Sequence, residues 1–306
     1  MARTPGERFP HGRTFHHSRF SPARVAAERR QGVSVCLPAK ECARTVGTIV
    51  GRLLELREAG VLDEVVVVDA ASRDGTAALA AAAGATVHQE AELLPQHGPV
   101  LGKGDALWRA QSVLEGEVVC FLDADTEHFQ PHFATGLIGA VCCEPEVEFA
   151  KAFYRRPGPG VADSGGGHRD GRGPGGGDPG DGGRVNRLMA RPLMAEFFPA
   201  LRWIRQPLAG EVAARRELLQ RLPFATGYGV EIAMLIDVLG EVGAERIAQV
   251  DLEEHRHRHQ GLDALEPMAH TILATVARRM YAEGRLAEEP TDAPPERPPL
   301  ASVALV

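Results

Sequence analysis

The sequence predicts an α/β fold, a mostly parallel sheet flanked by helices, and three observations carry that expectation. Val65-Val66-Val67-Val68-Asp69 is a near-continuous β-branched run, the mark of a strand buried on both faces. Val118-Val119-Cys120-Phe121-Leu122 is a second such run, and it enters Asp123. Between these runs lie segments of helical periodicity, the arrangement of βαβ units with right-handed crossovers.

The elements follow in order. Residues 1–31 form a polar, Arg/His-rich segment in which Ser21-Pro22 caps a short helix reaching Arg29. Val33 to Leu37 is a strand ended by Pro38, and Thr45 to Glu58 has the apolar spacing of an amphipathic helix. After the strand ending at Asp69, residues 70–75 turn, Thr76 to Ala83 is a helix, and Ala85 to His88 a short strand. Gly104 to Leu114 reads as the helix before the strand that enters Asp123. From Pro157 to Gly183 roughly half the residues are glycine, too little apolar surface to order the stretch, so a flexible loop is expected there. Structure resumes with a helix from Arg187 to Phe198 carrying Pro192, followed by Trp203 to Leu222 and then Val230 to Gly240. Ile247 to Leu252 is a late strand, Pro267 to Ala282 a last helix, and the Pro/Glu-rich end a disordered tail. The expected division is therefore 1–31, an α/β portion over 32–156, the loop 157–183, a further folded portion over 184–285, and the tail 286–306.

Composition excludes several classes. The chain has 306 residues, 44% of them hydrophobic, enough for a full core. Its 41 acidic and 34 basic residues leave no global basic field, so neither nucleic acid nor an anionic membrane is expected as a partner. No apolar run reaches the ~18 residues of a membrane span, and the N-terminus lacks the apolar centre of a signal peptide, so a cytoplasmic protein is expected. The five cysteines show no CxxC spacing and read as free thiols.

The chemistry concentrates at Asp123-Ala124-Asp125. Two carboxylates two residues apart in extended backbone project to one side and can serve a hard cation and a ribose hydroxyl together. A nucleotide diphosphate brings further oxygens, so a Mg²⁺ or Mn²⁺ ion needs only one or two protein carboxylates. Gly102-Lys103-Gly104 offers a cation between permissive glycines, without the spacing of a P-loop. His255-Arg256-His257-Arg258-His259 puts three imidazoles on one face of an extended segment, and one histidine completing the Asp125 metal site is more economical than a histidine-only zinc cluster. Ligands of a parallel sheet bind beyond the carboxyl ends of its strands, so Pro38, Asp69 and Asp123 should meet in one crevice.

With these residues in view, the chain resembles the glucosyl-3-phosphoglycerate synthases, retaining glycosyltransferases of GT-A fold and actinobacterial type. The likeness runs from about Val33 to Gln260. It rests on Leu37-Pro38-Ala39, Val68-Asp69, Gly102 to Trp108, the Asp123-Ala124-Asp125 segment, Gly183-Arg184-Val185, Arg191-Pro192-Leu193, Gln206 to Glu211, Gly227 to Ile232 and Ala248 to Leu252. It implies a GT-A-like fold with a C-terminal acceptor-binding portion. Pro38, Ala39 and Asp69 would line the nucleoside pocket, Lys103 and Ala124 would lie near the nucleotide, and Asp123 would hold ribose and metal. Asp125 and His257 would ligate the cation. Gly183, Arg184, Val185, Asn186 and His259 would receive the phosphorylated acceptor. Tyr228 and Glu231 would approach the glucose, and the backbone of Leu208 would line the reaction centre. The resemblance also implies a UDP- or GDP-sugar donor, 3-phosphoglycerate as acceptor and a homodimer. The chain departs from the family at Glu41-Cys42, where Asn-Glu is usual, at Asn186 in place of Thr, and at His259 in place of an acceptor-binding Asn. Two other readings stay open: a transferase of the same fold using glycerate or a lipid phosphate, and a sugar-nucleotide-binding module without turnover.

Overall fold

The computed structural model, which describes residues 13–155, 183–254 and 262–303, alternates strands and helices as the valine runs require. The first half contains β1 (Arg13–His16), α1 (Pro22–Glu28), β2 (Val33–Ala39), α2 (Val46–Glu58), β3 (Glu64–Asp69), α3 (Thr76–Ala82), β4 (Thr86–Gln89), α4 (Lys103–Ala110) and β5 (Val118–Phe121). Then follow α5 (His132–Cys142), β6 (Phe149–Arg155), a π-helical turn (Asn186–Ala190), α6 (Arg191–Phe197), β7 (Val212–Arg215) and α7 (Arg216–Arg221). The chain continues through β8 (Phe224–Ala225), α8 (Val230–Val242), β9 (Ile247–Glu254), α9 (Leu262–Ala282) and β10 (Glu296–Arg297).

An eight-stranded sheet runs in the order β1-β9-β6-β7-β5-β2-β3-β4. All neighbours are parallel except where β7 meets β5 and β6. Strand residues divide by parity between two cores. Val33, Val35, Leu37, Val65 and Val67 face one with α2 and α5, while Cys36, Val66, Val68, Val119 and Phe121 face the other with α4 and α8. This is why the strands read as unbroken apolar runs. Helix α2 buries Val46, Ile49, Val50, Leu53 and Leu56, a single stripe at helical spacing.

The chain ends depart from expectation. Within the polar segment 1–31, Ser21 does cap α1, its Oγ accepting from the Arg24 amide at 3.2 Å. Residues 13–16, however, form an edge strand of the main sheet, and Phe20 is fully buried against α5, where a Cβ on Gly139 would come 2.4 Å from its own. The expected disordered tail, 286–306, is packed over 296–302. β10 pairs with β8, Trp108 Nε1 donates to Pro298 O at 2.8 Å, and Arg297 Nη2 donates to Asp105 Oδ2 at 2.9 Å, where Arg109 Nε also donates at 3.0 Å. A proline-rich segment builds no core of its own, but it can complete one by satisfying buried polar groups that α4 presents. The segment 203–222 contains β7 and α7. The five cysteines are free, as expected. Among the described residues no helix is long and apolar enough to cross a membrane.

Candidate active site

β2, β3, β4 and β5 are parallel, so Pro38, Asp69 and Asp123 all lie at the same edge of the sheet. β7 runs the other way, which brings the residues before it, Gly210 and Glu211, to that same edge.

Asp123 follows β5, but the backbone beyond it is a turn and not extended. Strand alternation therefore does not align the two carboxylates. The turn is tied from two sides instead: Thr126 Oγ1 donates to Asp123 O at 3.1 Å, and Thr45 Oγ1, at the amino end of α2, donates to Ala124 O at 2.6 Å. Asp125 is exposed at the rim, yet its surroundings are poorly solvated. That desolvation and the neighbouring Asp123 together raise its carboxyl above the usual range.

Lys103 starts α4, and its Nζ lies 2.7 Å from Asp123 Oδ1 and 3.0 Å from Glu231 Oε1 in the first turn of α8. Loss of solvation works against the ammonium, but the two carboxylates outweigh it and hold it well above the ordinary lysine value. The pairing depends on close backbone approach. A Cβ on Gly104 would stand 1.9 Å from Ala225 O, and one on Gly210 would stand 2.6 Å from both Asp123 carboxylate oxygens and from Lys103 Nζ. The glycines on either side of this centre therefore fix how near the charges sit.

The structure thus brings Lys103, Asp123 and Glu231 into direct contact, with Asp125 beside them. Asp69 is buried at the end of β3; Oδ2 accepts from the Ser72 amide at 3.1 Å, and Oδ1 has no hydrogen-bond partner among the described residues. A lone acceptor of this kind suits a donor group on a nucleoside base. Pro38 and Ala39 close β2 next to it. Leu208 is half-buried, and Tyr228 is 60% exposed on the turn before α8. Gly183 and Arg184 lie at the surface where the described chain resumes. Val185 is packed in the core, and buried Asn186 donates from Nδ2 to Arg205 O at 3.0 Å. His257 and His259 fall outside the described residues. At Glu41-Cys42, the Glu41 carboxylate accepts from the Arg73 amide at 2.9 Å, and burial pushes the Cys42 thiol up to about 11.

Sequence reasoning missed Lys151 and Glu90. Lys151 is fully buried on β6 and donates from Nζ to Ala209 O at 2.7 Å, holding the strand of backbone between Leu208 and Gly210. Burial lowers its ammonium to about 8, although Glu231 and Glu211 oppose the shift. The signal was one lysine inside the apolar run Phe149-Ala150-Lys151-Ala152-Phe153, a position where a charge is costly unless it is used. Glu90, just past β4, is pushed up to about 7 by burial and then by Asp105.

The cation required by the expected chemistry fits these residues. Asp123 and Asp125 are adjacent carboxylates of which Lys103 neutralises one, and the raised carboxyl of Asp125 marks a place where added positive charge is favoured.

Comparison with known proteins gives a consistent result. Residues 34–155 match the model of glycosyl transferase family 2. The glucosyl-3-phosphoglycerate synthase of Petrotoga mobilis is 40% identical over 280 residues, covering 90% of this chain and 82% of its own. That of Mycolicibacterium paratuberculosis is 40% identical over 276 residues, covering 90% and 80%. Among solved structures, the mannosyl-3-phosphoglycerate synthase of Rubrobacter xylanophilus superposes with a TM-score of 0.84 at 39% identity, over 95% of this chain and 96% of that one. The glucosyl-3-phosphoglycerate synthase of Mycobacterium tuberculosis in complex with Mn²⁺, UDP-glucose and phosphoglyceric acid superposes with a TM-score of 0.79 at 34% identity, over 96% and 99%. The fold is accordingly GT-A, and the chain belongs to the glucosyl-3-phosphoglycerate synthase family.

Proposed function

We propose that the protein transfers glucose from a nucleoside diphosphate sugar to the free hydroxyl of 3-phosphoglycerate, with retention of configuration, giving glucosyl-3-phosphoglycerate. The observation that carries this reading is the Lys103, Asp123 and Glu231 contact at the carboxyl edge of the sheet, with Asp125 beside it. Relatives at 40% identity bear the name of that activity, and a solved relative holds Mn²⁺, UDP-glucose and phosphoglyceric acid together.

Asp125 and His257 would hold a Mg²⁺ or Mn²⁺ ion with Asp123, and when bound the ion supplies positive charge against the departing diphosphate. The buried acceptor on Asp69 orients the base, and Pro38 and Ala39 bound its pocket. Lys103 ties Asp123 and Glu231 together, so both carboxylates are positioned before the glycosidic bond breaks. Among the described residues Glu231 is the side chain that would be nominated as a nucleophile toward the sugar. Its oxygen is 3.0 Å from an ammonium, which damps its nucleophilicity. The acceptor hydroxyl attacking from the face the leaving group departs, with its proton passing to the donor phosphate, is the better-supported route. Lys151 holds the backbone next to Leu208, which would line that face. Arg184, beside Gly183, supplies the guanidinium for the acceptor phosphate.

A second reading concerns the sugar, because the Rubrobacter mannosyl enzyme is as good a structural match as the glucosyl ones. A matrix of UDP-glucose, GDP-glucose and GDP-mannose against 3-phosphoglycerate and glycerate, scored by nucleotide release and by the anomeric coupling of the product, tests all of this. Release from a glucose donor should depend on 3-phosphoglycerate and give the donor's own anomer. Release indifferent to the acceptor, or an inverted product, would overturn the reading.

A further inference from the structure

We propose that His16, His17 and Glu253 form a second metal site, for a zinc-class divalent cation, that fastens the edge strand β1 to the end of β9. It lies apart from the transferase centre. β9 stands three strand spacings from β5, about 14 Å along the sheet.

The ligand atoms of the three residues all lie within 4.8 Å of one another. His16 Nε2 is 3.4 Å and His17 Nε2 is 3.2 Å from the same oxygen, Glu253 Oε1. His17 Nε2 is buried and faces the Glu253 carboxylate. Two ligands on a tetrahedral ion with bonds of ~2.05 Å stand about 3.3 Å apart, so these separations are those of co-ligands. The surroundings hold the three side chains in place. His16 Nδ1 accepts from the Ser18 amide at 3.3 Å and lies 2.7 Å from Ser18 Oγ, contacts that hold the ring with Nε2 directed at Glu253. The His132 ring stacks on His17 at 4.0 Å, with its Nε2 engaged on Leu252 O at 3.2 Å, so it steers the His17 ring without competing for the ion. Glu253 is held at φ 64°, a costly conformation outside glycine, by its amide donating to Asp251 Oδ1 at 2.9 Å. The carboxylate faces His16 at the end of β1 and His17 after it.

Two imidazoles and one carboxylate leave a coordination position for water and favour zinc, cobalt or nickel over magnesium. The Asp123 and Asp125 site, rich in oxygen, has the opposite preference. The rival explanation is that protonated histidines simply pair with Glu253. The two differ in whether metal is retained.

The test uses the full chain carrying Asp125→Asn, which weakens the transferase site. Protein is loaded with Zn²⁺, dialysed and assayed for zinc per chain, and parallel samples receive Co²⁺ for visible absorption. The expected result is one zinc lost per chain when His16→Gln and His17→Gln are added, at least tenfold weaker binding with Glu253→Gln, and loss of the cobalt bands in both. If the double histidine variant does not fold, Glu253→Gln alone decides. Equal zinc retention with and without these substitutions, or no retention before them, would overturn the site. Neither outcome bears on the transferase reading, since none of the three residues belongs to that centre.

Discussion

Asp125 shows how a single carboxylate can be tuned by its neighbours without being sealed from solvent. Asp123 beside it and the scarcity of water raise its carboxyl, and both penalties are relieved when a divalent cation arrives. Asp125→Asn keeps the shape and removes the charge, so kcat/KM should fall by at least about a hundredfold while far-UV circular dichroism stays unchanged. A variant with near-normal turnover at saturating donor would remove Asp125 from the metal site. Arg184 is exposed at the start of the helical turn that leads to α6. One charge-assisted contact is worth ~1.5–3 kcal/mol, so Arg184→Ala should weaken use of 3-phosphoglycerate by roughly one to two orders of magnitude and use of glycerate far less. Equal losses for both acceptors in steady-state assays would show that Arg184 reads no phosphate.

At the scale of elements, β6 and β7 do what no local pattern announces. β7 is a four-residue strand, Val212-Ala213-Ala214-Arg215, whose alanines favour helix as readily as strand. It becomes a strand because β5 and β6 flank it, and its reversed direction delivers Gly210 to the Asp123 carboxylate. Lys151 on β6 then secures Ala209. Its folded pKa, about 8, lies below that of a lysine in the unfolded chain, near 10.4. Between those values the unfolded state binds more protons, so stability contributed at this site rises with pH, by at most about 1.4 kcal/mol per unit. Denaturant unfolding at pH 7 and pH 10 should therefore shift the comparison toward the native protein and against Lys151→Met. A difference independent of pH would mean that the amine is not buried as described.

Over the whole molecule, the two ends of the described chain close it. Phe20 fills a notch that Gly139 leaves on α5, and Phe20→Ala should cost about 3–5 kcal/mol in equilibrium unfolding. Arg297 enters from the other end to a carboxylate already shared with Arg109. Removing it breaks a buried network, so Arg297→Ala should cost roughly 3 kcal/mol, with turnover at low temperature little altered. Loss of less than 1 kcal/mol in either variant would show that the ends are appended and not integral.

The sequence by itself determined the βαβ succession, the doubly buried strands and the meeting of Pro38, Asp69 and Asp123 at one edge, because runs of branched residues and strand ends are local facts. Those same local facts could not decide the turn at Asp125, the reversal of β7, the burial of Lys151 or the docking of β1 and the 296–302 segment. Each depends on partners 58 or more residues away, as with Ala209 for Lys151, Gly139 for Phe20 and Asp105 for Arg297. A polar or proline-rich segment has no pattern of its own to declare its place. The buried polar groups and notches it completes exist only once the rest of the chain has folded.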